Sequence, residues 1–485
     1  MVRPAASVVL LRQDGHVLWV RRGDQLRFAG GFYAFPGGGV DESDAQVPLS
    51  NAAHLEKAEA ACIAAAAREL FEETGVLVVA GVSREEKRAL RQALLDGTAS
   101  FGDFLTARGL AVDARKFTPA GRWITPPAMP IRFDARFYLV EVPEGEEVEI
   151  WPGELSDGAF IAPADALRLW EEGTALLHPP AWHTLKSLAL APSPREAAPW
   201  LLDPSRAPWK LPVEDYVVKR IELQRGVIMV PLRTPTLPPA THTNCFLLGD
   251  DQLQVVDPGS PWPEEQRILS ETLERLAADG RKAAGVILTH YHLDHVGGAR
   301  ALGLPIAATK ETAARLDFKV DRIIEDGERL EAGPRGWRML HLPGHTRGHL
   351  CLVEEKTGAV IAGDLVAGTG TVIIDPPEGD MADYLASLDR LLEQKPGTLY
   401  PAHGPVVPAG VEKLRQYRAH RLEREGRVLA ALSREPAAPT QLLPAAYPDV
   451  APEMYPFAER SLLAHLIKLV REGRAAESGD RYFLR

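Results

Sequence analysis

Short apolar runs at 7–11 and 17–20 flank the polar stretch Arg12-Gln13-Asp14-Gly15. Runs of that length bounded by turn residues predict strands. The glycine-rich turn Gly37-Gly38-Gly39 follows, and then a long alanine-rich segment that is expected to be helical and to end near Thr74-Gly75, because glycine is the common residue just past a helix C-terminus. Farther on, β-like runs at 244–248, 254–256, 285–288, 350–353 and 359–361 alternate with amphipathic helices such as Pro263–Ala278. That alternation predicts an α/β sandwich of mixed sheets flanked by helices. Beyond about 411 the pattern is nearly all helical.

Two breaks divide the chain. Between 192 and 212 there are six prolines (192, 194, 199, 204, 208 and 212), too many for a helix or a central strand. This stretch is expected to be an interdomain linker, packed through Trp200 and Trp209. A second break follows Pro401-Ala402-His403-Gly404-Pro405. The expected organisation is 1–190, a linker at 191–213, 214–410 and 411–485, in keeping with 485 residues at roughly 150 per domain. No apolar run approaches the roughly 18 residues that cross a bilayer, so no membrane partner is expected. The first residues read as a strand and turn, lacking the longer apolar region of a signal peptide.

Composition narrows the chemistry. With 45% hydrophobic and 25% charged residues the chain is not disordered as a whole. Its 66 acidic and 55 basic residues give a net charge of −11, which argues against a general clamp for phosphate backbones, although a local basic patch stays open. The three cysteines, Cys62, Cys245 and Cys351, are far apart and in no metal-ligand spacing. They point to a reducing compartment, the cytoplasm being the expected one.

The densest chemical signal is Thr289-His290-Tyr291-His292-Leu293-Asp294-His295, directly after the apolar run at 285–288. His345 in Pro343-Gly344-His345-Thr346, Asp364 in Ala362-Gly363-Asp364, and His403 also fall at turn-like positions. Imidazole and carboxylate suit zinc, and two divalent ions would need about this many ligands with a position left for water. This order of motifs resembles the metallo-β-lactamase superfamily of metal hydrolases over about 216–411. The resemblance implies that His290, His292 and His345 hold one ion and that Asp294, His295 and His403 hold another, with Asp364 bridging. The ions are expected to be two Zn²⁺, or iron or manganese. Asp294 is expected to orient the attacking water or carry protons. Asp257, in Val256-Asp257-Pro258-Gly259, and His349 are expected to support the ligands from behind.

The residues after 411 resemble the small winged-helix tail of the β-lactamase-like endoribonuclease subgroup. They hold 13 Lys/Arg against 10 Asp/Glu, a polarity that fits weak nucleic-acid contact at best. Arg415, Arg418, Arg421 and Arg424 are spaced by three and would form a broad basic stripe, partly cancelled by Glu412, Glu423 and Glu425.

In the first segment, Glu69, Glu72 and Glu73 stand at i, i+3 and i+4, so their carboxylates share one helix face. Like charges so placed call for a divalent cation, and carboxylate ligands favour Mg²⁺ or Mn²⁺. With Phe35-Pro36-Gly37-Gly38 ahead of it, Arg68-Glu69-Leu70-Phe71-Glu72-Glu73-Thr74-Gly75-Val76 resembles the second half of the Nudix box of diphosphate hydrolases. The pattern departs from that box at His54 and Ala60, where glycine and glutamate are expected. The missing outer carboxylate is left to Glu59 or Glu154. Arg22, Arg27, Gly31 and Phe35-Pro36-Gly37-Gly38, together with Arg122-Trp123-Ile124-Thr125-Pro126 and Arg132-Phe133-Asp134-Ala135-Arg136-Phe137, resemble the coenzyme A diphosphatase branch, with Gly23 as a departure. The resemblance implies that Arg22, Arg27, Gly37 and Gly38 meet substrate, that Glu72 and Glu73 hold the metal, and that Glu69 is a ligand or the base. Arg68 is expected to orient the glutamates by an ion pair.

The expectation is therefore a Nudix α/β/α sandwich, then a metallo-β-lactamase αβ/βα sandwich, then a small helical winged-helix-like tail. The expected activities are hydrolysis of a diphosphate, coenzyme A or an acyl derivative among the candidates, and of a thioester or related bond in a small molecule. Two alternatives stay open: an RNA-cutting nuclease acting through the second centre, and a first segment that only binds nucleotide as a regulatory module.

Overall fold

The computed structural model describes residues 2–26, 29–127, 129, 131–151 and 153–485, and the chain divides into two compact units, Met1–Arg225 and Gly226–Arg485.

The first unit is built on one mixed sheet. Arg3–Leu11 runs parallel to Phe133–Glu141 and antiparallel to Val17–Arg22 and Gly37–Gly39. Alternation along Arg3–Leu11 sends Val8 and Leu10 into one core and Val9 and Leu11 into another. The first core is closed by the helix Lys57–Thr74, through Ile63, Ala66, Leu70 and Phe71. The second is closed by Pro163–Glu172, Pro179–Leu190 and Pro194–Leu202. The result is the α/β/α sandwich. Gly75 ends the long helix in the left-handed region, at φ 74°, which glycine adopts without a Cβ penalty.

The proline-rich stretch corrects two expectations. Pro194–Leu202 is a helix despite Pro199 inside it, with Ser193 capping its N-terminus and Ala197 and Leu201 buried. Pro194 stands in the first turn, where a missing N–H costs nothing, and the apolar side chains outweigh the single bond lost at Pro199. Farther on, Val217–Val218 pairs with Thr118–Ile124. Residues 191–213 are thus folded into the first unit, and 214–225, read as the start of the next domain, lie within it too.

The second unit stacks two sheets. One orders its strands Val227–Arg233, His242–Leu248, Gln252–Val256, Lys282–Ile287, Ile306–Ala308 and Arg322–Ile323, the last four joined in parallel. The other runs Arg329–Ala332, Arg335–His341, Leu350–Glu354, Val360–Gly363 and Leu399–Pro401. The helix Pro263–Ala278 packs on the first sheet through Leu269 and Leu276, and Met381–Glu393 on the second through Leu388 and Leu391. The tail comprises Gly410–Ala431, Pro439–Ala446 and Tyr455–Arg471 around Val428, Leu442, Leu462 and Leu466. It is not all helix: Ala475–Ser478 and Arg481–Leu484 form an antiparallel hairpin, the wing. Its strands are four residues each, too short for alternation to show in sequence.

Among the described residues no helix is long and apolar enough to cross a membrane. All three cysteines are buried and unpaired by disulfides.

Candidate metal centres

In the second unit each candidate ligand follows the C-terminal end of a strand, so one edge of the stacked sheets collects them all. Asp257 follows Gln252–Val256, His290 to His295 follow Lys282–Ile287, His345 follows Arg335–His341, Asp364 follows Val360–Gly363, and His403 follows Leu399–Pro401. Two groups result: His290, His292, His345 and Asp364, and Asp294, His295 and His403, the ligand atoms within each lying inside 4.8 Å of one another. The Nδ1 atom of His292 sits 2.9 Å from Nε2 of His290 and 3.1 Å from Nε2 of His345. Three ring nitrogens so close repel unless a proton or cation lies among them. Asp364 faces both groups: Oδ2 is 3.5 Å from His345, and Oδ1 is 3.3 Å from His403 and 3.6 Å from His295.

The rings are set from behind. His290 Nδ1 donates to Thr289 Oγ1 (3.0 Å), which in turn donates to Asp257 Oδ2 (2.6 Å). Asp257 also accepts from Thr289 N (2.8 Å) and His295 Nδ1 (2.8 Å). It stands at φ 51°, which costs a non-glycine residue strain, and three accepted hydrogen bonds hold it there. His345 Nδ1 donates to the carbonyl of Ile373 (2.8 Å) and His403 Nδ1 to that of His242 (3.0 Å). A carbonyl only accepts, so these contacts place a proton on each Nδ1 and turn Nε2 toward the groups. His349 Nε2 accepts from the backbone N of Asp364 (2.9 Å), fixing where that carboxylate starts. Gly259 lets the turn close: a Cβ there would lie 1.8 Å from the carbonyl oxygen of Asp294.

The electrostatics are those of a site built for cations. Burial pushes His290 and His349 well below the usual imidazole value. Burial would lower His403 as well, but the carboxylates of Asp364 and Asp294 raise it to about 10. Burial would raise Asp294, and His295 and His403 hold it at about 2. His295 Nε2 is fully buried without a hydrogen-bond partner, and an inward-facing orphan of that kind fits a ligand atom.

The first unit gathers its carboxylates on the helix Lys57–Thr74. Arg68 donates to Asp44 through Nε (2.8 Å) and Nη2 (2.9 Å), to Glu69 (2.9 Å) and Glu72 (3.1 Å) through Nη1, and to the carbonyl of Gly39 (3.0 Å). Glu73 accepts from Gly37 N at 2.9 Å. A Cβ on Gly38 would fall 2.4 Å from Glu69 Oε1, so a larger residue there would displace that carboxylate. Burial raises Glu69 to about 7, Arg68 opposing and Glu72 adding to the rise. Burial and then Glu69 raise Glu73 to about 8. Of the two candidates for the missing carboxylate, Glu154 bears on both Glu69 and Glu73, whereas Glu59 bears on Cys62 and Tyr138. Arg22 acts on Glu73 by charge. Arg27 lies outside the described residues.

Two residues of this site escaped the sequence reading. Asp44 is buried and pairs with Arg68 in two bonds. Arg91 ties down the end of the glutamate helix, donating to the carbonyls of Glu72 and Glu73, each at 2.8 Å. Only the acidic cluster Asp41-Glu42-Ser43-Asp44 hinted at the first, and nothing local marks the second.

The tail arginines do not form the basic stripe expected of them. Arg421 and Arg424 are buried, the first on the carbonyl of Val372 and the second on Asp449 at 2.8 Å, and Arg418 pairs with Asp389 at 2.6 Å.

Comparison with known proteins assigns these parts. The NUDIX domain matches residues 1–182, the metallo-beta-lactamase superfamily 238–314 and 305–403, and the beta-lactamase associated winged helix domain 438–482. Lactamase-like protein aptB of Emericella nidulans is 30% identical over 47% of this chain and 70% of its own length. The atrochrysone carboxyl ACP thioesterase of Aspergillus chevalieri is 30% identical over 39% of this chain and 60% of its own. A NUDIX hydrolase from Alicyclobacillus acidocaldarius, known from its crystal structure, is 31% identical, covering 42% of this chain and 97% of its own, with a TM-score of 0.37.

Proposed function

Since the chain belongs to the metallo-β-lactamase superfamily and to the NUDIX family, joined in one metal-dependent hydrolase with a β-lactamase-associated winged-helix domain, we propose that it carries two hydrolytic centres for small molecules. The second unit cleaves a thioester or related acyl bond, and the first cleaves a diphosphate, with coenzyme A or an acyl derivative as the preferred class. The observation that carries the reading is the convergence of seven ligand atoms in two groups with Asp364 facing both.

His290, His292 and His345 would hold one ion, Asp294, His295 and His403 the other, and Asp364 would bridge, with zinc as the preferred metal for this donor set and iron or manganese the alternatives. Bound there, the ions supply Lewis acidity, lowering the pKa of water and neutralising negative charge that develops on the substrate. Asp294, kept ionised by His295 and His403, orients the water. Asp257 and His349 keep the ligands in register, the former through Thr289 and His295. The thioester preference is supported by the likeness to the Aspergillus chevalieri thioesterase.

In the first unit Glu72 and Glu73, with Glu154 in place of the missing outer carboxylate, would hold Mg²⁺ or Mn²⁺, which neutralises the diphosphate. Glu69, raised to about 7, accepts the proton of the attacking water near neutral pH, where a base of that strength works best. Arg68 spends its donors on protein groups and orients the glutamates. Arg22 and Arg27 meet phosphate oxygens, and Gly37 and Gly38 keep the wall of the site low enough for substrate to approach. The complete core of Arg68, Glu69, Glu72 and Glu73 favours hydrolysis over regulatory nucleotide binding. The RNA-cutting reading loses support from the buried tail arginines.

The test is a product screen by mass spectrometry over acyl thioesters and nucleoside diphosphate derivatives, with Zn²⁺ and Mg²⁺ supplied separately. Thioester cleavage with Zn²⁺ and diphosphate cleavage with Mg²⁺ are expected. Cleavage of RNA, with neither panel turned over, would refute the reading.

A further inference from the structure

The loop after Asp364 is held by the tail at successive points. Tyr417 Oη accepts from Ala367 N (2.9 Å) and donates to the carbonyl of Gly370 (2.8 Å). Arg421, buried and 49 residues away in sequence, donates to the carbonyl of Val372. Arg460 pairs with Asp375 at 3.3 Å. Between these grips lies the peptide joining Ile373 to Ile374. Its carbonyl accepts from His345 Nδ1 at 2.8 Å, and its N–H donates to Ser461 Oγ at 3.3 Å. Both contacts are made by one planar, resonance-coupled amide. The hydroxyl oxygen of Ser461 therefore polarises and aims the carbonyl that sets the tautomer of His345, and successive hydrogen bonds of this kind reinforce each other. Ser461 itself is buried, on the helix Tyr455–Arg471.

We propose that Ser461, a residue of the winged-helix tail, is a positioning residue for the metal centre: through the Ile373 to Ile374 peptide it fixes the orientation and tautomer of His345. The inference rests on the reading of His345 as a metal ligand. The tail's role is then to hold the metal-site loop, and Arg421 and Arg460 serve that purpose.

The experiment loads the full-length protein with cobalt(II) in place of the native ions and compares wild type with Ser461→Ala, Ser461→Thr and Ser461→Val. Titration gives the affinity of each ion, and the visible absorption bands report the geometry of its ligands. Threonine and valine differ in the hydroxyl alone, so their comparison holds even if the small hole left by alanine disturbs folding. Removal of a group behind a metal ligand costs about 10- to 100-fold in affinity, and a group one hydrogen bond farther out is expected to cost between about three- and tenfold. Ser461→Ala and Ser461→Val should weaken one of the two ions by that factor and shift its bands, while Ser461→Thr keeps the wild-type values. Unchanged affinity and bands in both hydroxyl-lacking variants would overturn the inference, as would equal weakening of both ions in threonine and valine alike, which marks a packing effect. Wild-type protein that takes up no cobalt would overturn the dinuclear reading itself, a result distinguishable from the others.

Discussion

Glu73 keeps its proton to about pH 8 because burial and its neighbour Glu69 both disfavour the charge. In the unfolded chain the same group titrates near its ordinary value of 4.5. The folded protein therefore binds this proton more tightly, and the stability so gained is complete below about pH 4.5 and lost as pH rises through about 8. In the metal-free protein, melting temperature should fall between pH 5.5 and 8.5 more steeply in wild type than in Glu73→Gln. Added Mg²⁺ should raise wild-type melting more at pH 8.5 than at 5.5, since the ion displaces the proton; a magnesium effect that does not grow with pH would contradict this. At the other centre, His292 is where three ring nitrogens meet. His292→Ala is expected to lower metal content from two ions per chain to about one and to reduce hydrolysis by at least about 100-fold, as elemental analysis and initial rates would show. The candidate ligands of this centre were legible in sequence because all seven lie in or beside turns that follow strands. Their supports were not: Ile374 and Ser461 are 87 residues apart, and Arg68 and Asp44 are 24 apart, with no local pattern linking either pair.

Among the elements, the long helix that carries the glutamates was visible from its composition and its glycine stop, and Pro263–Ala278 has the bounds its amphipathic pattern foretold. Pro194–Leu202 was not, because counting prolines ignores where they fall within a helix. The short 3₁₀ helix Glu42–Gln46 stands between the glycine-rich turn and the glutamate helix. It brings Asp44 under the glutamate helix, where the pair with Arg68 is almost wholly removed from water. Removing one partner of a buried ion pair typically costs 3–5 kcal/mol, and Arg68 here retains Glu69 and Glu72. Asp44→Ala should therefore destabilise the first unit by about 3 kcal/mol and lower Mg²⁺-dependent diphosphate cleavage by more than it raises KM. Denaturant melts followed by a Trp signal, together with kcat and KM, check both. A variant with wild-type stability would mean that this short helix is not a brace.

For the molecule as a whole, two centres with different donor chemistry on two compact units should fail separately. Glu72→Gln and Glu73→Gln are each expected to abolish diphosphate cleavage and leave the second activity within about twofold, as expected for sites on separate units with no shared partners. Joint loss would point to misfolding or a single composite site. The net charge of −11 over the whole chain and the internal pairing of Arg418, Arg421 and Arg424 argue against RNA as a partner. Binding to single-stranded RNA at physiological salt should be weaker than about 10 μM, and a log–log salt slope of −0.7 per phosphate should correspond to few contacts. Submicromolar binding with cleavage lost in His295→Ala would promote the nuclease reading. The burial of all three cysteines has a practical consequence of its own. Burial raises the thiol of each above its ordinary value, and an inaccessible protonated thiol is a poor nucleophile. The native chain should therefore be silent to maleimide reagents at neutral pH, so that a pair of surface cysteines introduced one in each unit would take up dyes cleanly and report the distance between the two centres as substrate is turned over.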